Sequence, residues 1–122
     1  MSFVLGQRSR ERLKGVDERL VKVVERAIQI TEVDFTVLEG LRTPERQKQL
    51  VAEGFSQTLK SKHLTGHAVD LGALVDNKIS WDKAPYFKIA DAMKKAADEL
   101  NVKVRWGGDF KSFFDGPHWE LV

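Results

Sequence analysis

The first sustained periodicity in the chain begins at Asp17. Beyond it Leu20, Val24, Ala27 and Ile28 recur at helical spacing, with Arg19, Lys22, Glu25 and Arg26 mostly on the other side. This predicts an amphipathic helix with Asp17 as its N-cap and its apolar stripe in the core. Ahead of it, Ser9 to Leu13 reads as a short helix ended at Gly15. The period then shortens to two. Asp34 to Glu39 is β-branched and aromatic, with Phe35 and Val37 on one face and Thr36 and Leu38 on the other, and predicts a strand ending at Gly40. Thr43-Pro44-Glu45 supplies a hydroxyl cap, a first-turn proline and an acidic residue, so a helix should start there and run to about Glu53, before Gly54.

Phe55 to Lys62 has no clear period and is expected to be a loop. Ala68 to Leu71 alternates again, which predicts a strand with Val69 and Leu71 inward and Asp70 on the opposite face. Asp76 to Pro85 reads as a polar connection with an exposed Trp81. Tyr86 to Leu100 is a second amphipathic helix, with Ile89, Met93, Ala96, Ala97 and Leu100 inward. Val102, Val104 and Trp106 alternate as a strand before Gly107-Gly108, and His118 to Val122 forms the last strand. Trp106, Trp119, Phe110, Phe113 and Phe114 are expected in the core. Helices and strands mixed by short connections, without a βαβ rhythm, argue for an α+β fold: a small antiparallel sheet flanked by helices.

Composition narrows the function. A chain of 122 residues suits one domain, spanning 1–122, with one hydrophobic core. Its formal charge of +2 is small, and Lys and Arg are interleaved with Asp and Glu, so no nucleic-acid face is expected. There is no cysteine, which excludes disulfides, thiolate metal sites and cysteine nucleophiles. The first seven residues fall short of a signal-peptide core, and no run approaches the ~20 apolar residues of a membrane span. The expectation is a soluble monomer made in the cytoplasm, without a signal peptide.

Potential metal ligands concentrate in two stretches, Ser61-Lys62-His63-Leu64-Thr65-Gly66-His67-Ala68-Val69-Asp70 and Asp115-Gly116-Pro117-His118-Trp119-Glu120, which hold all three histidines. A catalytic zinc takes three protein ligands and keeps a fourth position for water. The candidates are His63, His67, Asp70, Asp115, His118 and Glu120. His63 and His67 are four apart, as in a helical His-Glu-x-x-His site, but Leu64 stands in the place of the glutamate and Gly66 argues against a helix. Gly66 permits close backbone approach, and Pro117 fixes an extended entry to His118.

Ser61-x-His63-x-x-Gly66-x-Ala68-x-Asp70 resembles, position for position, the signature of the D-alanyl-D-alanine metallopeptidases, which share a fold with lysostaphin-type peptidases and the hedgehog signalling domain. Asp115-Gly116-Pro117-His118-Trp119-Glu120-Leu121 is similar to the branch containing phage L-alanyl-D-glutamate endopeptidases, which are endolysins. Gly40-Leu41-Arg42-Thr43, Arg46-Gln47 and Trp106-Gly107-Gly108-Asp109 extend the resemblance over nearly the whole chain. It implies zinc held by His63, Asp70 and His118, Asp115 as general base, Arg42 steadying the polarised carbonyl, and Ser61 supporting the site and contacting substrate. The competing reading of Arg42 is a surface ion pair with Glu39 or Glu45, and it is the weaker one even without the resemblance. His67 and Glu120 have no assigned place on the metal, although Glu120 shares the strand face of His118 and is the rival base. The related vancomycin-resistance dipeptidases carry glutamate where this chain has Asp115, one methylene shorter. The implied function is a zinc-dependent hydrolase of the peptidoglycan stem peptide, an L-alanyl-D-glutamate endopeptidase serving as a phage endolysin that reaches the wall after release from the host cytoplasm. A D-alanyl-D-alanine carboxypeptidase or dipeptidase is the enzymatic alternative, and a non-catalytic zinc-stabilised binding module the other.

Overall fold

The computed structural model describes residues 3–55, 61–111 and 113–122. In chain order it contains α1 (Gln7–Arg12), α2 (Glu18–Ile30), β1 (Phe35–Glu39), α3 (Pro44–Ala52), β2 (Ala68–Val75), β3 (Lys78–Ser80), α4 (Lys83–Leu100), β4 (Val104–Trp106) and β5 (His118–Leu121). Single 3-10 turns cover Lys62–Thr65 and Gly107–Asp109. The α+β expectation holds. Among the described residues the strands form one antiparallel sheet in the order β1-β2-β5-β4, with β3 also paired to β2.

The core lies on one face of this sheet. Phe35 and Val37 from β1, Val69, Leu71 and Ala73 from β2, Trp106 from β4 and Trp119 and Leu121 from β5 pack there with Leu20, Val23, Val24 and Ala27 of α2 and Ile89, Met93 and Ala96 of α4. Each fully buried aliphatic side chain in this layer contributes about 1.5–3 kcal/mol relative to exposure. Because side chains alternate along a strand, the residues between these face the other side of the sheet. That second face receives Asp70, His118, Glu120 and Arg105, brought level by the pairings Asp70↔His118 and Arg105↔Glu120, and a register shift between Val37 and Glu39 breaks the alternation of β1 and sets Glu39 opposite Asp70.

The helix starts follow their caps. Asp17 accepts from the Arg19 amide at 2.9 Å, and Thr43 accepts from the Arg46 amide at 3.1 Å with Pro44 opening α3. Five readings of the sequence need correction. Asp76–Pro85 is more than a connection: Asp76 and Asn77 both take left-handed backbone angles, φ 53° and 63°, turning β2 into β3. Helix α4 starts at Lys83, before Tyr86, because a proline in the first turn removes an amide that has no helical partner anyway. Leu100, at the end of α4, is exposed. Phe113 is exposed and Phe110 only partly covered, so neither belongs to the core, whereas Trp106 and Trp119 do. Val102 packs against the core but precedes β4. The loop expected from Phe55 to Lys62 falls largely on residues 56–60, outside the described residues.

Candidate active site

Three chain segments meet above the second sheet face. The first is the turn Lys62–Thr65. Ser61 starts it, its hydroxyl accepting from the His63 amide at 3.2 Å, and Gly66 ends it at φ 76°. A Cβ on Gly66 would stand 2.3 Å from the Gly15 carbonyl oxygen, so the close approach of these two segments requires glycine. The turn buries His63, which is 2% exposed.

The His63 ring is held by its neighbours in one tautomer. Nδ1 lies 2.8 Å from the Gly40 carbonyl, which can only accept, so Nδ1 carries the proton and Nε2 presents a lone pair. This Nε2 is buried and makes no hydrogen bond among the described residues, although it sits 3.3 Å from Asp70 Oδ1. A buried ring nitrogen left in this way is costly unless something electrophilic completes it.

The second segment is β2, which delivers Asp70. The third is β5, where His118 sits directly across from Asp70. His118 Nδ1 is 3.3 Å from Asp70 Oδ1, while its Nε2 donates to Glu120 Oε1 at 2.8 Å. Glu120 is itself paired with Lys62 at 3.0 Å, and Lys62 also donates to the Leu121 carbonyl at 2.7 Å. The result is two imidazoles, each anchored through one nitrogen and each directing the other at one carboxylate. One ligand atom from each of His63, Asp70 and His118 lies within 4.8 Å of the others, a group able to hold a metal ion. Two nitrogens and one oxygen, with outer partners fixing both rings, match the donor set that suits zinc.

Charge in the cluster is strongly coupled. Burial alone would raise the Asp70 pKa, but the imidazoles of His118 and His63 beside it outweigh burial and hold the carboxyl well below the usual range. Burial disfavours charge on His118, yet its bonds to Asp70 and Glu120 prevail and raise its pKa. Glu120 is lowered, because His118 and Lys62 overcome its burial. Asp115 moves the other way. Burial raises it, the negative charge of Asp70 adds to the rise, and His118, His63 and Arg42 only partly offset them.

Asp115 reaches the rim of this cluster through a backbone device. Its amide donates to the Gly107 carbonyl at 3.0 Å, and its own carbonyl accepts from the His118 amide at 3.2 Å. A Cβ on Gly107 would lie 2.2 Å from the Asp115 carbonyl oxygen and 2.9 Å from the Cβ atoms of Asp115 and His118. Trp106 fastens the same loop from the core side, donating from Nε1 to the Gly116 carbonyl at 2.7 Å.

Arg42 is 10% exposed, so the pair it makes with Glu39 is not a surface one. Nη1 donates to Gln47 Oε1 at 2.8 Å, and Nη2 stands 3.8 Å from Asp70 Oδ2. His67 is directed elsewhere: its Nδ1 is 2.6 Å from the Thr65 hydroxyl and its Nε2 3.7 Å from Asp17. Glu120 lies behind His118, on the ring nitrogen facing away from Asp70. Two supporting partners have no role assigned from the sequence, Gln47 behind Arg42 and Lys62 behind Glu120. Lys62 lies beside His63 and Gln47 lies in the Arg46-Gln47 pair that extends the resemblance, but neither position announces the side chain it supports.

A sequence model described as phage L-alanyl-D-glutamate peptidase matches residues 1–122. The chain belongs to that family. It is therefore a peptidase, and its relatives agree. The L-alanyl-D-glutamate peptidase of Escherichia phage T5 is 35% identical over 137 aligned residues, covering 100% of both chains. The crystal structure of the Serratia marcescens L-Ala D-Glu endopeptidase ChiX superposes with a TM-score of 0.93 at 45% identity, covering 98% of this chain and 90% of that one. The vancomycin-resistance D,D-dipeptidase VanXYg, solved with a D-Ala-D-Ala phosphinate analogue, matches with a TM-score of 0.52 at 17% identity over 87% of this chain and 50% of its own. That likeness concerns the fold, which is the D,D-peptidase fold expected from the sequence.

Proposed function

We propose that this chain is a zinc-dependent L-alanyl-D-glutamate endopeptidase that cuts the stem peptide of peptidoglycan and serves as a phage endolysin. It would act as a monomer on the wall after release from the host cytoplasm. The observation that carries the metal assignment is the pair of anchored rings: the Gly40 carbonyl behind His63 and the Glu120 carboxylate behind His118 leave one ring nitrogen each beside Asp70. His63, Asp70 and His118 would hold the zinc. When bound there, it supplies a Lewis acid that polarises the scissile carbonyl and brings the pKa of water toward ~7.

The remaining roles fall to side chains. Asp115 takes the proton of the attacking water and returns it to the leaving amine; the rise in its pKa from burial and from Asp70 strengthens it as a proton acceptor. Arg42, largely covered beside Asp70 and with N–H groups beyond those given to Glu39 and Gln47, offers donors to the oxygen on which negative charge develops. Ser61 uses its oxygen to cap the turn, which leaves its hydroxyl proton free to donate to a substrate backbone. A binding module without catalysis would need neither Asp115 nor Arg42 at this cluster.

Mass spectrometry of purified peptidoglycan digested with the protein tests the reading. New amino termini on glutamate, lost when a chelator is added, are the expected products. Release of free D-alanine instead would favour the carboxypeptidase alternative, and intact wall in the presence of zinc would overturn both.

A further inference from the structure

The sheet face that carries the metal cluster also carries Arg105, directly across from Glu120 on the edge strand β4. The other cations of this face are already engaged. Arg42 is committed to Glu39 and Gln47, and Lys62 to Glu120 and the Leu121 carbonyl. Arg105 is exposed and, among the described residues, its guanidinium has no carboxylate or carbonyl partner. What holds it is a ring. Its central carbon lies 4.6 Å from the centre of Phe110, whose ring stands 5.7 Å from that of His118 and 5.4 Å from the exposed Phe113. A guanidinium resting on an aromatic face keeps its N–H fork at the edges, where it can grip a carboxylate through two parallel hydrogen bonds. The arrangement is an apolar ledge beside His118, with a free, oriented cation at its end.

The chemistry of the proposed substrate supplies the anion. Glutamate has two carboxyl groups and the peptide can continue through only one, so the residue on the leaving side of an L-alanyl-D-glutamate bond keeps a free carboxylate. Where the chain continues through the γ-carboxyl, the free group is the α-carboxylate, two covalent bonds from the scissile nitrogen and so about 2.5 Å from it. We infer that Arg105, seated on Phe110, is the specificity residue that binds this free carboxylate. The inference rests on the endopeptidase reading and adds to it a subsite for the leaving residue.

Two soluble peptides test it, one containing L-alanyl-γ-D-glutamate with its α-carboxylate free, the other identical but for an α-carboxamide. Wild-type protein should prefer the carboxylate. In Arg105→Met that preference, as a ratio of kcat/KM values, should fall by about tenfold or more, mainly through KM on the carboxylate peptide. Arg105→Lys, which keeps charge but loses the fork, should recover part of it. Equal losses on both peptides, or an unaltered preference, would overturn the assignment while leaving the endopeptidase reading intact. If wild-type protein cleaved neither peptide, the endopeptidase reading would fail and the Arg105 subsite with it.

Discussion

Glu120 accepts a hydrogen bond from the ring nitrogen of His118 that faces away from Asp70, at 2.8 Å. A carboxylate in that position fixes the imidazole tautomer and raises its basicity toward a metal, and loss of such an outer partner commonly weakens binding by 10–100-fold. Lys62 secures Glu120 in turn. Glu120→Gln is therefore expected to lower zinc affinity by about one to two orders of magnitude, measured by competition with a chromogenic chelator, and to regain turnover when zinc is supplied in excess. A zinc-saturated but inactive Glu120→Gln would instead make Glu120 the proton acceptor.

The two histidines of the first motif should separate cleanly. His63→Ala and His118→Ala each remove a nitrogen from the group around Asp70, so elemental analysis of the purified variants should show little bound zinc. His67 contacts Thr65 and lies 3.7 Å from Asp17. His67→Ala should keep its zinc, and loss of the metal there would mean that the wrong histidine had been chosen.

Arg42 is expected to matter most as charge builds on the substrate oxygen. Arg42→Ala should lower kcat by about a hundredfold or more with a smaller change in KM, as for other lost oxyanion donors. Because Nη2 stands 3.8 Å from Asp70 Oδ2, zinc content must be measured on the same sample. A variant that lost its metal in proportion to its activity would make Arg42 a support for Asp70, with no direct part in the chemistry.

Gly107 links the Trp106-Gly107-Gly108 run to the proposed base. A methyl at this position would meet Asp115 and His118 atoms at 2.2–2.9 Å, and both belong to backbone or near-backbone groups that cannot swing aside. Gly107→Ala should destabilise the fold by about 1–3 kcal/mol in denaturant titrations, the range of an overpacked core. Displacement of the Asp115 loop should reduce turnover further than this loss of stability explains.

The elements that sequence revealed are those governed by local rules. Asp17 and Thr43 cap helices in the structure as their side-chain chemistry requires, and Val69 and Leu71 face the core because strand alternation leaves no other choice. Strand β3 is hidden because Asp76-Asn77 is a less familiar hairpin turn than one with glycine, and the start of α4 is hidden because its first turn, which tolerates Pro85, continues the polar composition of the connection before it. Phe110 and Phe113 read as core on hydrophobicity alone. Their placement beside His118 depends on a loop path that no local pattern encodes. The same holds within the site. The spacing of His63, Asp70, Asp115 and His118 was visible in the sequence, but the Gly40 carbonyl behind His63 comes from a distant part of the chain, and the contact of Gln47 with Arg42 depends on how α3 leaves the turn after β1.

Asp115 gives the sharpest test, because activity and stability should move in opposite directions. Burial and the charge of Asp70 raise its folded-state pKa above the ordinary carboxylate value. For an acid shifted upward, the folded state binds the proton more tightly than the unfolded one. The stability linked to that proton is fully present below the unfolded pKa and is lost as pH rises through the folded pKa. At neutral pH the metal-free protein therefore bears the cost of an ionised Asp115. Asp115→Asn removes that charge, so the metal-free variant should be at least as stable as wild type at pH 7, and the difference should shrink as the pH is lowered through the carboxylate range. Turnover should nonetheless fall by roughly 10²–10⁴, because the amide cannot accept the proton of the attacking water. Zinc content should be retained, since Asp115 is not among the three proposed ligands. Thermal unfolding of the metal-free proteins, zinc analysis and kcat measured together decide the matter. Near-normal turnover in a zinc-loaded Asp115→Asn would remove the general-base role, while a marked loss of stability at neutral pH would show that Asp115 holds the C-terminal loop in place.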